Sequence, residues 1–299
     1  MKVIQPTTVT DSNLTSSNVA ENDYAQWNSA TSYVTGNRVI VLSTHKIYEA
    51  AQNNTNVNPV TDNGTNWITL GATNRWKAFD QKIGDPVTNT TSIEYVFTPA
   101  QKTTAVALFG VGGATANVTV TDSIEGEVYN ETVSLLDNTD VIDWYTYFFE
   151  DISYTTEALF LDIPPYAGAA VEVTVSGATG ATVELGQLVI GSALDLGLTI
   201  YGTSIGIEDF SRKETDTFGN FIIVERAFAN LVDFDVTFET QNANRLRRFL
   251  ADYRAKPLVY IGNPDPVYGT IVYGFYRNFD ITLSSPSLSY ASIEVEGLT

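Results

Sequence analysis

Apolar residues along most of the chain fall at every second position in short runs, which predicts strands rather than helices. The run Ala116-Asn117-Val118-Thr119-Val120-Thr121 alternates cleanly, as a half-buried strand does. Comparable runs occur at 92–97, 105–111, 128–135, 144–152, 158–163, 170–175 and 182–190. Turn formers separate them at Gly112-Gly113, Ile124–Glu127, Pro164–Gly168 and Ser176-Gly177. So many short strands between 73 and 192 predict one β-sandwich domain of the jelly-roll kind.

The periodicity changes toward the C-terminus. Val232, Phe234, Val236 and Phe238 share one face of a strand, with Asp233, Asp235, Thr237 and Glu239 on the other. From 241 to 255 the apolar spacing becomes helical, with Leu246, Phe249, Leu250 and Tyr253 on one stripe. Arg245, Arg247, Arg248 and Arg254 occupy the opposite surface, and Pro257 ends the helix. Strands resume at 258–262, 269–278 and 289–296. Residues 193–299 therefore read as an α+β or β-barrel-like domain whose single helix covers a sheet face.

Two further segments precede the sandwich. Residues 24–72 gather Tyr24, Trp27, Tyr33, Tyr48 and Trp67 among Asn, Thr and Gly. Short strands at 39–42, 46–50 and 67–70 flank a turn at Ser43–His45 and a long Asn/Thr loop at 53–66. Aromatic residues supply the core that so small a unit needs. Residues 1–23 are Thr-, Ser- and Asn-rich, with Val3, Ile4, Leu14 and Val19 as their larger apolar side chains. Such a segment does not fold alone; it reads as an extended N-terminal arm on a neighbouring subunit, or as a flexible leader. The fold class is mainly β, with a small aromatic-rich module, a jelly-roll-like sandwich and a C-terminal α+β domain.

Composition narrows the function. The net charge of −19 opposes nucleic-acid binding, which needs clustered cations, and docking on anionic membranes. Residues 1–200 hold 7 cations and 22 acids, against 9 and 13 in 201–299, so the C-terminal third differs in kind. No apolar run reaches the length of a membrane span. With no cysteine and one histidine, His45, neither a thiolate metal site nor a histidine cluster can form. A Ser-His-Asp triad would depend on His45, and no nucleophile-elbow motif is present. Glu94, Glu172 and Glu184 could serve a glycosidase, but nothing in the sequence selects them. The acidic loop Asp137–Asp140 could hold calcium; no cofactor is expected.

The pattern Trp27…Tyr33-x-x-Gly36-x-x-Val39…Tyr48-Glu49-Ala50…Pro59…Trp67 resembles the chitin- and cellulose-binding modules of carbohydrate-binding families 5 and 12. That resemblance implies sugar contact through Trp27, Tyr48 and Trp67, stacked on the apolar faces of the rings. The loop at 51–66 departs from those modules. Across nearly the whole chain the arrangement is similar to tail-tip proteins of long-tailed bacteriophages. It is carried by the Thr-rich leader, by Asn74-Arg75-Trp76-Lys77-Ala78-Phe79-Asp80 and by Tyr201-Gly202-x-x-Ile205-Gly206-Ile207-x-Asp209-Phe210-Ser211-Arg212-Lys213-Glu214-Thr215-Asp216-x-Phe218-Gly219. Glu225-Arg226-Ala227-Phe228 completes it.

The resemblance implies a non-enzymatic virion protein at the distal end of the tail, made in the host cytoplasm and akin to distal tail or minor tail proteins. Expected partners are further copies of itself, other tail-tip components (tube, hub and fibres) and a host surface glycan. The C-terminal domain, through Arg245, Arg247, Arg248 and Arg254, is the expected ring-forming part, with the acidic region 24–190 outward. Two alternatives stand beside this: a receptor-binding lectin-like protein outside the tail ring, and a polysaccharide depolymerase.

Overall fold

The computed structural model describes residues 1–137, 143–149, 153–215, 217–265 and 268–298. The chain is mainly β, as the alternating pattern requires. Its largest element is an antiparallel sheet that curls into a half-barrel. In order it runs Glu157–Phe160, Ala105–Gly112, Thr182–Asp195, Lys2–Pro6, Leu258–Ile261, Ile271–Thr282, Leu288–Gly297 and Phe228–Glu239. Leu198–Thr199 and Ser204–Asp209 line the outer edge of Phe228–Glu239, and Val87–Thr90 adds to Thr182–Asp195.

A second sheet, Gly126–Ser134, Thr115–Asp122, Ala170–Ser176, Ser92–Phe97 and Leu14–Ser17, faces one end of the first. Between the two lies the sandwich core, with Tyr95, Phe97, Leu108, Val118, Phe160 and Val173 buried. The alternating residues Ala116, Val118 and Val120 point inward as predicted. In the C-terminal part, Val232, Phe234, Val236 and Phe238 are buried against Leu246, Phe249 and Leu250 of the helix Ala243–Asp252. The Tyr276 hydroxyl donates to the Leu250 carbonyl at 2.9 Å and ties sheet to helix. A 3-10 turn, Thr240–Asn242, leads into that helix.

Two expectations are corrected. The N-terminal segment is an arm on its own chain rather than on a neighbour. Lys2–Pro6 fills the gap between Thr182–Asp195 and Leu258–Ile261, and Val3 and Ile4 are fully buried. One strand surrounded by existing edges acquires the partners and apolar contacts that the segment lacks in isolation. It also makes the sandwich sheet and the C-terminal sheet continuous. The second correction concerns 144–152, expected as a strand. Trp144–Phe149 is an α-helix, in which Trp144 stacks on Phe148 at 6.2 Å and Tyr145 packs at a tilt on Phe149 at 5.0 Å. Pairs four residues apart meet on a helix but not on a strand. Residues 150–152 of that run lie outside the described residues.

The small module is a three-stranded sheet of Arg38–Val41, Lys46–Ala50 and Trp67–Ala72, with Ser32–Tyr33 paired to Asn54–Thr55. The loop before Trp67 is organised by Asp62, which accepts from the backbone N–H groups of Gly64, Asn66 and Trp67. These bonds, led by the Asn66 side-chain amide at 2.8 Å, hold the Asp62 carboxyl below its ordinary pKa.

Candidate functional site

The aromatic residues expected to meet sugar divide by burial. Tyr48 and Trp67 are 5% and 2% exposed and form the module's core with Tyr33, Val39 and Ala50. Trp67 packs edge-on to Tyr33 at 5.1 Å, and its Nε1 donates to the Val57 carbonyl. Neither ring presents a face to solvent, because a unit this small needs its large aromatics to fill its interior. Trp27 packs on the same cluster but is only half-buried. Nearby, Tyr24 is exposed and lies beneath the Arg38 guanidinium at 5.8 Å.

Arg245, Arg247 and Arg248 are on the helix as its spacing predicted, whereas Arg254 lies in the turn beyond the helix end at Asp252. Arg245, Arg247, Arg248 and Arg254 are all exposed. Among the described residues none of them forms an ion pair; Arg248 donates to the Asn244 carbonyl within the helix, and Arg254 donates to the Ala251 carbonyl from the turn that follows it. From 243 to 256 five cations stand against one acid, a local +4 within a chain of −19.

Glu94 and Glu172 lie on neighbouring strands of the five-stranded sheet, whereas Glu184 lies in the other sheet, so the three do not converge. His45 sits between Asp11 and Glu21 at 3.1 and 3.0 Å. Asn138, Thr139 and Asp140 of the calcium-type loop lie outside the described residues. Among the described residues no group of three His, Asp or Glu side chains is arranged to hold a metal ion, and no helix is long and apolar enough to cross a membrane.

A further uncovered apolar surface begins within the 201–219 motif and continues through Phe221–Val224, a run to which the motifs gave no role. Strands Ser204–Asp209 and Phe228–Glu239 pair up to Asp209 and Phe228. The ribbon then leaves the sheet as a free hairpin, Arg212–Thr215 against Phe221–Val224. Its root is fixed by Asp209, which accepts from Lys213 at 2.6 Å and from the Ser211 N–H at 2.9 Å. The Lys213 contact above all draws the Asp209 carboxyl well below the usual carboxylate range. Beyond the root every described residue of the hairpin strands is exposed. Phe221 is 77% and Ile223 66% exposed, and Ile222 and Val224 are exposed on the opposite face. Isolated two-stranded hairpins are marginally stable at best in water. A run of four exposed apolar residues is a liability unless something covers it.

The apolar surface continues along the sheet edge. Ile205 and Ile207 of the edge strand are exposed, as are Phe210, Phe228, Tyr201 and Leu198. Arg277 holds that strand in place by pairing with Glu208, Glu294 and Glu296. The signal for the hairpin was present in the sequence. Phe221-Ile222-Ile223-Val224 is apolar without alternation, follows the turn Gly219-Asn220 and faces Arg212-Lys213-Glu214-Thr215. A strand that is apolar on both faces is either central or covered by a partner.

No family model matches the chain, and comparisons with curated proteins and with solved structures likewise return no match.

Proposed function

We propose that this chain is a non-enzymatic structural subunit of a long-tailed bacteriophage tail tip, self-associating into a ring or hub that displays the aromatic-rich module outward. The observation that carries this reading is the free hairpin with its adjoining apolar edge. A monomer has no use for four consecutive exposed apolar residues on a ribbon held away from its own core, whereas an assembly subunit buries them against a neighbour. The unpaired arginine helix supports the same reading, since it is a cationic surface on a chain whose other copies are strongly acidic. The tail-tip location rests on the likeness of the 74–80 and 201–219 motifs to such proteins. The module adds glycan contact. With Tyr48 and Trp67 in the core, it would fall to Trp27 and Tyr24.

Light scattering after size exclusion tests the assembly. The full chain is expected at a small-integer multiple of its 32.7 kDa mass. A monodisperse monomer would overturn the ring. Immunogold labelling of phage particles with an antibody against residues 200–299 tests the location. Label at the distal tail end is expected, and intact and opened particles without it would overturn the placement.

A further inference from the structure

The apolar hairpin and the arginine helix lie at opposite ends of one strand. The hairpin leaves at Phe228, and the helix follows Glu239. Eleven residue steps of strand separate these ends by roughly 35 Å. At the helix end an open groove of 380 Å³ runs between the helix and the sheet edge. Its walls are mainly apolar, with Leu196, Leu198, Phe238, Leu246, Phe249 and Leu288 among them, and Arg245 stands at its rim. A groove of this size takes an aromatic and an aliphatic side chain side by side. The chain therefore carries an uncovered apolar projection and an uncovered apolar recess that cannot meet within one molecule.

We propose that the hairpin of one copy seats Phe221 and Ile223 in the groove beside Arg245 of the next copy. This rests on the self-assembly reading and names its contact. Phe221 and Ile223 share one hairpin face, because residues two apart on a strand point the same way. Asp195 and Glu239 line the groove together with Arg245, so the charge that favours the match lies on the adjoining helix. From 209 to 226 the ribbon carries four acids and three cations, while the helix segment 243–256 carries one acid and five cations. A symmetric hairpin-to-hairpin contact would bring two net-negative ribbons together and leave both grooves uncovered. Because the two surfaces differ, the contact is head-to-tail, and such contacts close into rings or continue as filaments.

The absence of native cysteine makes this contact directly testable in the full chain. Thr217→Cys labels the hairpin tip. Asn242→Cys labels the groove rim, where the native side chain makes no capping hydrogen bond. Treated with a short bis-maleimide, a mixture of the two single variants is expected to give a cross-linked dimer containing one of each. The double variant should give a ladder of higher species, and neither single variant alone should cross-link. Independently, Phe221→Ser/Ile223→Ser is expected to weaken assembly at least about 100-fold, with far-UV circular dichroism unchanged because both side chains are exposed. An oligomer by light scattering in which Thr217→Cys links only to itself, or in which no 217–242 link forms, overturns this contact and leaves the assembly reading intact. A monomer at all concentrations overturns both.

Discussion

His45 lies flat against Trp76, ring centroids 3.9 Å apart and planes 18° from parallel. This contact joins the aromatic-rich module to the sandwich. His45 is in the module's turn between Arg38–Val41 and Lys46–Ala50, in the left-handed region at φ 52°. Trp76 belongs to the 3-10 segment Asn74–Phe79. The neighbours on that segment extend the joint. Arg75 donates to the Val19 carbonyl, Lys77 pairs with Asp85 and Phe79 packs edge-on to Tyr95 and Phe97 of the sandwich. Asn74 bonds to Thr88 in both directions. The 74–80 motif is thus a clamp in which nearly every residue has a separate contact.

Trp76→Ala should release the module from the sandwich. The expected cost is about 3–5 kcal/mol for a buried large aromatic, and His45→Ala should cost less, about 1–2 kcal/mol for a stacked and hydrogen-bonded ring. Limited proteolysis reads this out, with cleavage between residues 70 and 90 accelerated in both variants and more so in Trp76→Ala. Equal resistance to the native chain would show that the clamp is dispensable.

Trp67→Ala and Trp27→Ala should behave differently despite their similar place in the sequence pattern. Trp67 is the centre of the module's core, so its loss should melt the module at a cost of about 3–5 kcal/mol. Trp27 is half-buried, and its replacement should leave the fold in place while removing glycan binding. Amide exchange of residues 38–50 separates the two cases, and a glycan array on the Trp27 variant decides whether that ring is the binding one.

Glu157 sets a pH dependence. It lies opposite Phe109 in the edge strand Glu157–Phe160, and burial pushes its carboxyl from 4.5 up to about 7. A raised carboxyl pKa means that the folded state favours the protonated form. Its contribution is therefore fully present below pH 4.5, declines as pH rises toward 7 and stays low above that. Glu157→Gln should equal the native chain near pH 4 and exceed its stability by about 1–3 kcal/mol at pH 8. Urea unfolding at the two pH values measures this, and a difference that fails to grow with pH would refute it.

Gly191→Ala should be severe. A Cβ at Gly191 would stand 1.9 Å from the Gln5 carbonyl oxygen, where strand Lys2–Pro6 pairs with Thr182–Asp195. The backbone of a central strand cannot yield without breaking the ladder on both sides, so a loss of more than about 3 kcal/mol is expected. Thermal unfolding checks it; a melting temperature within a few degrees of the native chain would show that the strand can shift.

Arg245→Glu/Arg248→Glu should weaken assembly, and the loss should be larger at low salt than at high salt. Exposed charges act over about 10 Å at 0.1 M salt. Sedimentation at two ionic strengths distinguishes this from a packing defect, which would be insensitive to salt.

The local elements were largely legible in the sequence. Alternation set the strand Thr115–Asp122, and the same rule put Val232, Phe234, Val236 and Phe238 on the buried face. Helical spacing predicted Leu246, Phe249 and Leu250 inward with the arginines outward. These features follow from periods of 2 and 3.6 residues, which depend on the backbone alone. Tertiary structure decided the rest. Lys2–Pro6 is a central strand because two edges distant in sequence leave a gap for it, and nothing in its own composition encodes those edges. Trp67 and Tyr48 face inward because so small a module needs its large aromatics for a core, so residues with the chemistry to bind sugar are used for packing. Phe221–Val224 stays uncovered because its ribbon outruns the sheet, and the exposure of an apolar strand depends on what lies beside it in space.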